Sequence, residues 1–239
     1  MKTLGVIGGL GPLATAQFME MVVRMTDARH DFEHIPMLIN SQPATPDRTR
    51  FILGHSGESP LPMLLNVGAG LVAQGAACLA IPCVTAYYFY RELAADIRVP
   101  IIDMISETAQ QLRASGVKTA GLMATDGTIF GGFLRTGLEN LGIRVIEPSS
   151  LCQKKVMDIV YGSVKANQPV NLCDFRQVES ELRQNGADVI ILGCTELSAV
   201  HRDYRIGPGF LDAMEVQARR AVLLCGARLK PEYENLITR

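Results

Sequence analysis

No stretch of this chain comes near the ~20 consecutive apolar residues of a membrane-spanning helix. Its six cysteines, at 78, 83, 152, 173, 194 and 225, include no CxxC pair and no His/Cys spacing of the kind that holds zinc, so no metal is expected. Nor is there an excess of charge of either sign. Lys and Arg number 23 against 24 Asp and Glu, a formal net charge of −1. Without a clustered basic footprint, nucleic acid is not an expected partner. Residues 1–9 carry no cleavable-leader pattern and read as a first strand. The expectation is therefore a cytoplasmic protein, with its thiols kept reduced. The four histidines, at 30, 34, 55 and 201, show no partner pattern, and no nucleophile elbow supports Ser/His/Asp hydrolysis.

What is present is ordinary globular material. The chain has 239 residues, 48% apolar and 20% charged, enough for one large domain or two smaller ones with separate cores. Short apolar runs alternate with stripes at helical spacing. Leu4 to Ile7, Met37 to Ile39, Ala77 to Ile81, Thr119 to Met123, Ile143 to Ile146 and Val189 to Leu192 read as strands. Phe18/Met21/Val22/Met25, Ile102/Ile105/Ala109/Leu112, Phe133 to Leu141, Phe175/Val178/Leu182 and Leu211/Met214/Ala218/Ala221 read as helices. This alternation predicts an α/β fold: two pseudo-symmetric lobes, each a mostly parallel sheet flanked by helices.

The symmetry comes from a repeat. Residues 75–83 align without a gap on residues 186–194, each a turn, a short apolar strand and a cysteine at the strand's tip. The strand opening Lys2-Thr3 likewise resembles the one opening Lys118-Thr119. The expected boundaries are 1–99 plus 208–239 for one lobe and 100–207 for the other, with a ligand between them at the strand C-termini. Cys83 and Cys194 would then face one bound molecule from opposite sides, which suits moving a proton across a carbon centre. Each precedes a possible helix N-terminus, which lowers a thiol's pKa. Cys78 and Cys225, by contrast, read as core packing.

Other segments carry candidate binding groups. Gly9 and Gly11, after the first strand, fit a carboxylate-binding loop at a helix N-terminus, or a tight turn. The missing acid at the end of the second strand argues against a dinucleotide. Arg48 offers a bidentate fork for a carboxylate, unless it is a solvated surface group. Thr125, Gly127 and Thr128 could hold another carboxylate or cap a helix. Glu196 could orient an ammonium or a thiol, or satisfy a helix dipole. Lys165 alone reads as a surface lysine.

Taken in order, GG-x-GP-x-AT, PDRT, PC-x-TA, ATDGT, YG-x-x-K and GCTE resemble the aspartate/glutamate racemase family over nearly the whole chain. The resemblance implies a cleft between pseudo-symmetric lobes, no cofactor and a homodimer. It implies that Cys83 and Cys194 are the acid/base pair acting on a small acidic amino acid. It further implies that Arg48 and Lys165 bind the side-chain carboxylate, while Thr85, Thr125, Thr195 and Glu196 line the pocket. The chain departs from the family pattern at Val84, where asparagine is usual, and at Tyr87, where histidine is frequent. Valine offers no hydrogen bond, so one substrate anchor is absent and the surroundings of Cys83 should be more apolar and aromatic. Two rivals follow: a relative that isomerises or decarboxylates a small dicarboxylic acid through a cysteine, and a catalytically silent binder of acidic metabolites.

Overall fold

The computed structural model describes residues 1–238. In chain order its strands are β1 (Leu4–Gly8), β2 (Met37–Ser41), β3 (Cys78–Ala80), β4 (Thr119–Ala124), β5 (Arg144–Ile146), β6 (Val189–Gly193) and β7 (Phe210–Asp212). The α-helices are α1 (Pro12–Met25), α2 (Arg48–Ile52), α3 (Leu61–Ala73), α4 (Tyr90–Asp96), α5 (Met104–Ala114), α6 (Asp126–Gly131), α7 (Phe133–Glu139), α8 (Ser150–Met157), α9 (Leu172–Gln184), α10 (Thr195–Asp203) and α11 (Ala213–Leu224). A 3-10 segment spans Val84–Phe89, and a π-helical one spans Asp158–Val164. No described helix is long and apolar enough to cross a membrane.

Every strand pair is parallel. One sheet runs β2-β1-β3 and the other β5-β4-β6-β7. All five residues of β1 and of β6 are buried, which explains why these strands read as unbroken apolar runs. The shorter sheet has a fourth position in embryo. Leu79 N–H donates to Pro100 O at 2.9 Å and Ile102 N–H to Leu79 O at 2.8 Å, so residues 100–102 lie along β3 much as β7 lies along β6. The chain therefore leaves the first lobe after Ile102, not at Pro100. It returns after β7, not before it: Leu211, read from its spacing as helical, is a strand residue beside Ile191. Three residues of strand running into a helix imitate a helical stripe, because both present apolar side chains to the same core.

The lobes meet through two helices. The helix that follows residues 100–102, α5, packs on α7, and the helix that follows β7, α11, packs on α1; α5 and α11 also pack on each other. One hydrophobic core consequently runs through both lobes. Ala120, Leu122 and Ala124 of β4, with Val189 and Ile191 of β6, face it. Met123, Ile190 and Leu192, one residue out of step, face a second core with α8 and α9. Period-two alternation thus splits each strand between two cores.

A direct contact also ties α2 of one lobe to α6 of the other. A Cβ added at Gly127 would lie 2.8 Å from the Thr49 Cα and 3.0 Å from its hydroxyl. Backbone cannot yield as a side-chain tip can. Gly127→Ala should therefore destabilise the protein by about 1–3 kcal/mol, the usual range for overpacking. An unchanged denaturant midpoint would show that the contact is loose.

Candidate active site

Cys83 follows β3 through Ile81-Pro82 and takes an extended conformation, with its N–H on Ile81 O at 2.7 Å, before the 3-10 segment starts at Val84. Cys194 ends β6 and is the N-cap residue of α10, again extended. The repeat therefore places both cysteines at corresponding strand tips, and each is 5% exposed. Both line one void, with Leu10, Asp47, Arg48, Thr49, Val84, Thr85, Thr125, Tyr161, Lys165, Thr195 and Glu196. That void is small, about 10 Å³, room for about one water. That is too small for the acidic amino acid expected between the sulfurs; Tyr161 and Lys165, from the second lobe, are among its walls. The void adjoins a wider cavity of about 580 Å³, which shares Arg48, Lys165, Thr195 and Glu196 and adds Gly9, Gly11, Pro12 and Val164.

The two thiols have different neighbours. Cys194 Sγ–H donates to Glu196 Oε2 at 2.9 Å. Burial, then the Glu196 carboxylate, push this thiol well above its ordinary value, against the lowering influence of Lys165. A helix N-terminus was expected to lower it, but that partial charge is outweighed once the thiol is desolvated beside a carboxylate. Cys83 instead lies by Arg48. Burial works to lower the Arg48 guanidinium, and the neighbouring Cys83 and Asp47 outweigh it, so the group is held above its usual range.

Arg48 is 7% exposed and not a surface group. Its Nη2 donates to Leu10 O at 2.7 Å, and its Nη1 to Pro46 O at 3.2 Å and Thr45 O at 3.4 Å. Its Nε is buried without a partner. The fork is thus largely spent on holding its own loops, and the Nε edge is what remains. Lys165 Nζ stands 3.7 Å from Glu196 Oε1 and 4.5 Å from the centre of the Tyr161 ring. Burial lowers this ammonium, but Glu196, Tyr161 and both cysteines together raise it.

The remaining candidates divide. Thr85, Thr125 and Thr128 bring their hydroxyls within 3.0–3.2 Å of one another. Thr125 also caps α6. The turn therefore caps a helix and bridges the lobes; Gly127 and Thr128 pack behind the void without lining it. Gly9 (φ +88°) could carry no side chain, because a Cβ would lie 2.3 Å from Gln42 N. Its N–H already donates to Thr15 Oγ1 at 2.8 Å, so it has no free amide for a carboxylate. Gly11, by contrast, sits against Glu196 Oε1. Tyr87 is not at the site: its hydroxyl donates to Ile102 O at 2.7 Å and meets Gln217 in the core. The residue that sequence reasoning missed is Tyr161, whose hydroxyl donates to Asp47 Oδ2 at 3.1 Å across the lobes. Burial raises that phenol to about 12. Its sequence signal was its place at the head of the YG-x-x-K segment, four residues before Lys165.

Comparison with known proteins gives the class. A sequence profile of the Asp/Glu/Hydantoin racemase family matches residues 7–221, and the chain belongs to that family. It is an isomerase of the amino-acid racemase kind. The Picrophilus torridus aspartate racemase is 29% identical, with a TM-score of 0.88 and 99% of each chain covered. The broad specificity amino-acid racemase RacX of Bacillus subtilis is 26% identical over 201 residues, 82% of this chain and 86% of that one. A glutamate racemase from Francisella tularensis, solved with D-glutamate, shares the fold at 16% identity, with a TM-score of 0.65, over 93% of this chain and 80% of its own.

Replacing Glu196 by Gln removes a negative neighbour that raises Cys194. The thiolate should then form at lower pH. The pH profile of Cys194 alkylation, followed by mass spectrometry, should shift to the acid side, and the alkaline limb of activity should move with it. A profile unmoved in Glu196→Gln would mean that burial alone sets this thiol.

Proposed function

We propose that the protein racemises an acidic amino acid, aspartate first, by two-thiol proton transfer at Cα without a cofactor. The observation that carries this reading is the placement of Cys83 and Cys194 at corresponding strand tips of two lobes, lining one void together with Arg48 and Lys165. The α-proton of an amino acid is weakly acidic, so the carbanion must be stabilised by groups already in position. Arg48 Nε and the Lys165 ammonium are the cations available to do so, and they suit a substrate that brings two carboxylates.

Roles follow from the asymmetry of the pair. Cys194 holds its proton toward Glu196, so it starts as the acid and Cys83 as the base. Cys83 removes the α-proton from one face, and Cys194 delivers its own to the other. Inversion leaves Cys83 as thiol and Cys194 as thiolate, ready for the reverse direction. Ionisation belongs to the coupled pair and not to either sulfur alone.

A broader range of amino acids has one structural observation in its favour. The wide cavity beside the thiols has an apolar wall of Leu10, Pro12, Leu13, Ala14, Val164 and Ala199, which would accept a longer side chain. The named specificity of the B. subtilis relative agrees with that.

The test is incubation of the protein with each common amino acid, as L and as D, in D2O, with loss of the Cα–H signal read by NMR. Aspartate should exchange fastest and racemise. Cys83→Ala and Cys194→Ala should each lower racemisation by at least about 100-fold, the low end for losing a positioned acid or base. Each should retain exchange from one enantiomer only, opposite for the two variants. Racemisation undiminished in either variant would sink the two-thiol scheme, and saturable binding without exchange would mark a silent binder.

A further inference from the structure

A second group of ionisable side chains lies at the other end of α10 from Cys194. His201 is in the last turn of α10, Asp212 at the tip of β7 and Glu215 in the first turn of α11. One imidazole nitrogen and one oxygen from each carboxylate fall within 4.8 Å of one another. The closest approach of His201 to Glu215 is 4.0 Å, Nδ1 to Oε1. Nothing in the sequence joined these residues; the return of the chain through β7 into α11 brings them together.

Asp212 is 1% exposed. Its Oδ1 is fully used, accepting from Ser198 Oγ at 2.9 Å and from the Met214 N–H at 2.8 Å. Its Oδ2 is buried with no partner. A buried carboxylate oxygen left without a donor or cation is costly. No lysine or arginine is ion-paired with Asp212 or Glu215 among the described residues. Arg24 and Arg202 border the adjoining cavity, but they pair with Glu20 and Asp203. Two acids and one imidazole therefore share a pocket with a buried oxygen left to satisfy.

The geometry points to a divalent cation site formed by His201, Asp212 and Glu215, with zinc the ion best suited to one imidazole and two carboxylates. Ligands about 2.0–2.2 Å from zinc in a tetrahedron stand roughly 3.4 Å apart, so small rotations of His201 and Glu215 close the observed spacing. A cavity of about 340 Å³, lined by Ser198, His201 and Glu215, provides the way in and a place for a water as fourth ligand. Such an ion would clip α10, β7 and α11 together behind Cys194. None of its ligands lines the void between the cysteines, so the inference stands apart from the racemase reading.

The experiment is titration of metal-stripped protein with Co2+, followed by absorbance and calorimetry, then competition with Zn2+. One equivalent should bind per chain without a sulfur-to-cobalt charge-transfer band, should be displaced by Zn2+, and should raise the melting temperature. His201→Ala and the near-isosteric Glu215→Gln should each weaken binding by at least about tenfold while leaving the circular dichroism spectrum intact. A charge-transfer band would place the ion on the cysteines. That result, binding unaltered in both variants, or no saturable binding at all would overturn the site.

Discussion

The site depends on burial: two strand tips are held against one nearly closed void by a core that neither lobe owns. Because β4 and β6 alternate between two cores, neither can slide by a residue without turning its apolar side chains the wrong way. Because α5 and α11 pack on each other between the lobes, separating the lobes would expose much of the main core. The positions of Cys83 and Cys194 are therefore set by packing deep in the molecule and not by the loops that carry them. The desolvation that raises the Cys194 thiol is the same burial seen from the site.

The repeat makes the backbones alike and leaves the chemistry unlike. Cys83 is followed by a 3-10 segment and flanked by a guanidinium; Cys194 opens an α-helix and donates to a carboxylate. A perfectly symmetric pair could share a single proton, but would have no reason to keep it on one sulfur rather than the other. On the proposed reading, divergence at the residues around the sulfurs, with the strands alike, divides the roles while preserving the geometry.

The sequence disclosed most of this because parallel strands buried on both faces have an unmistakable apolar signature. It misled where two elements share one apolar face, as at Leu211. It was silent on α3, whose run Leu61–Ala73 is apolar nearly all round and includes Gly68 and Gly70, so it lacks a stripe. At the site, the cysteines, Arg48, Lys165, Thr195 and Glu196 were legible because they stand at element ends within marked segments. Gly127 and Thr128 shared such a segment but serve packing, and only the closeness of the Thr49 backbone reveals that. Tyr87, four residues after Cys83, turns into the core, while Tyr161, far from both cysteines in sequence, reaches the void. Neighbours along the 3-10 segment point in different directions, and sequence proximity to a catalytic position does not set direction.

Val84 leaves no side-chain amide beside Cys83, so charge must do more of the work of holding a substrate. Most of the Arg48 donors are committed to Leu10, Thr45 and Pro46, and Lys165 is engaged with Glu196. On the proposed reading, a substrate carboxylate reaching Lys165 competes with Glu196 for the ammonium. Lys165 is also the foremost influence lowering the Cys194 thiol. Once its charge is balanced by substrate, burial and Glu196 act on that thiol with less opposition, and the proton is held more firmly on Cys194. The bound ligand would thereby fix the acid at the moment the other sulfur must act as base, a coupling that needs an anionic group on the substrate and, because the void holds about one water, an opening of its walls to admit it.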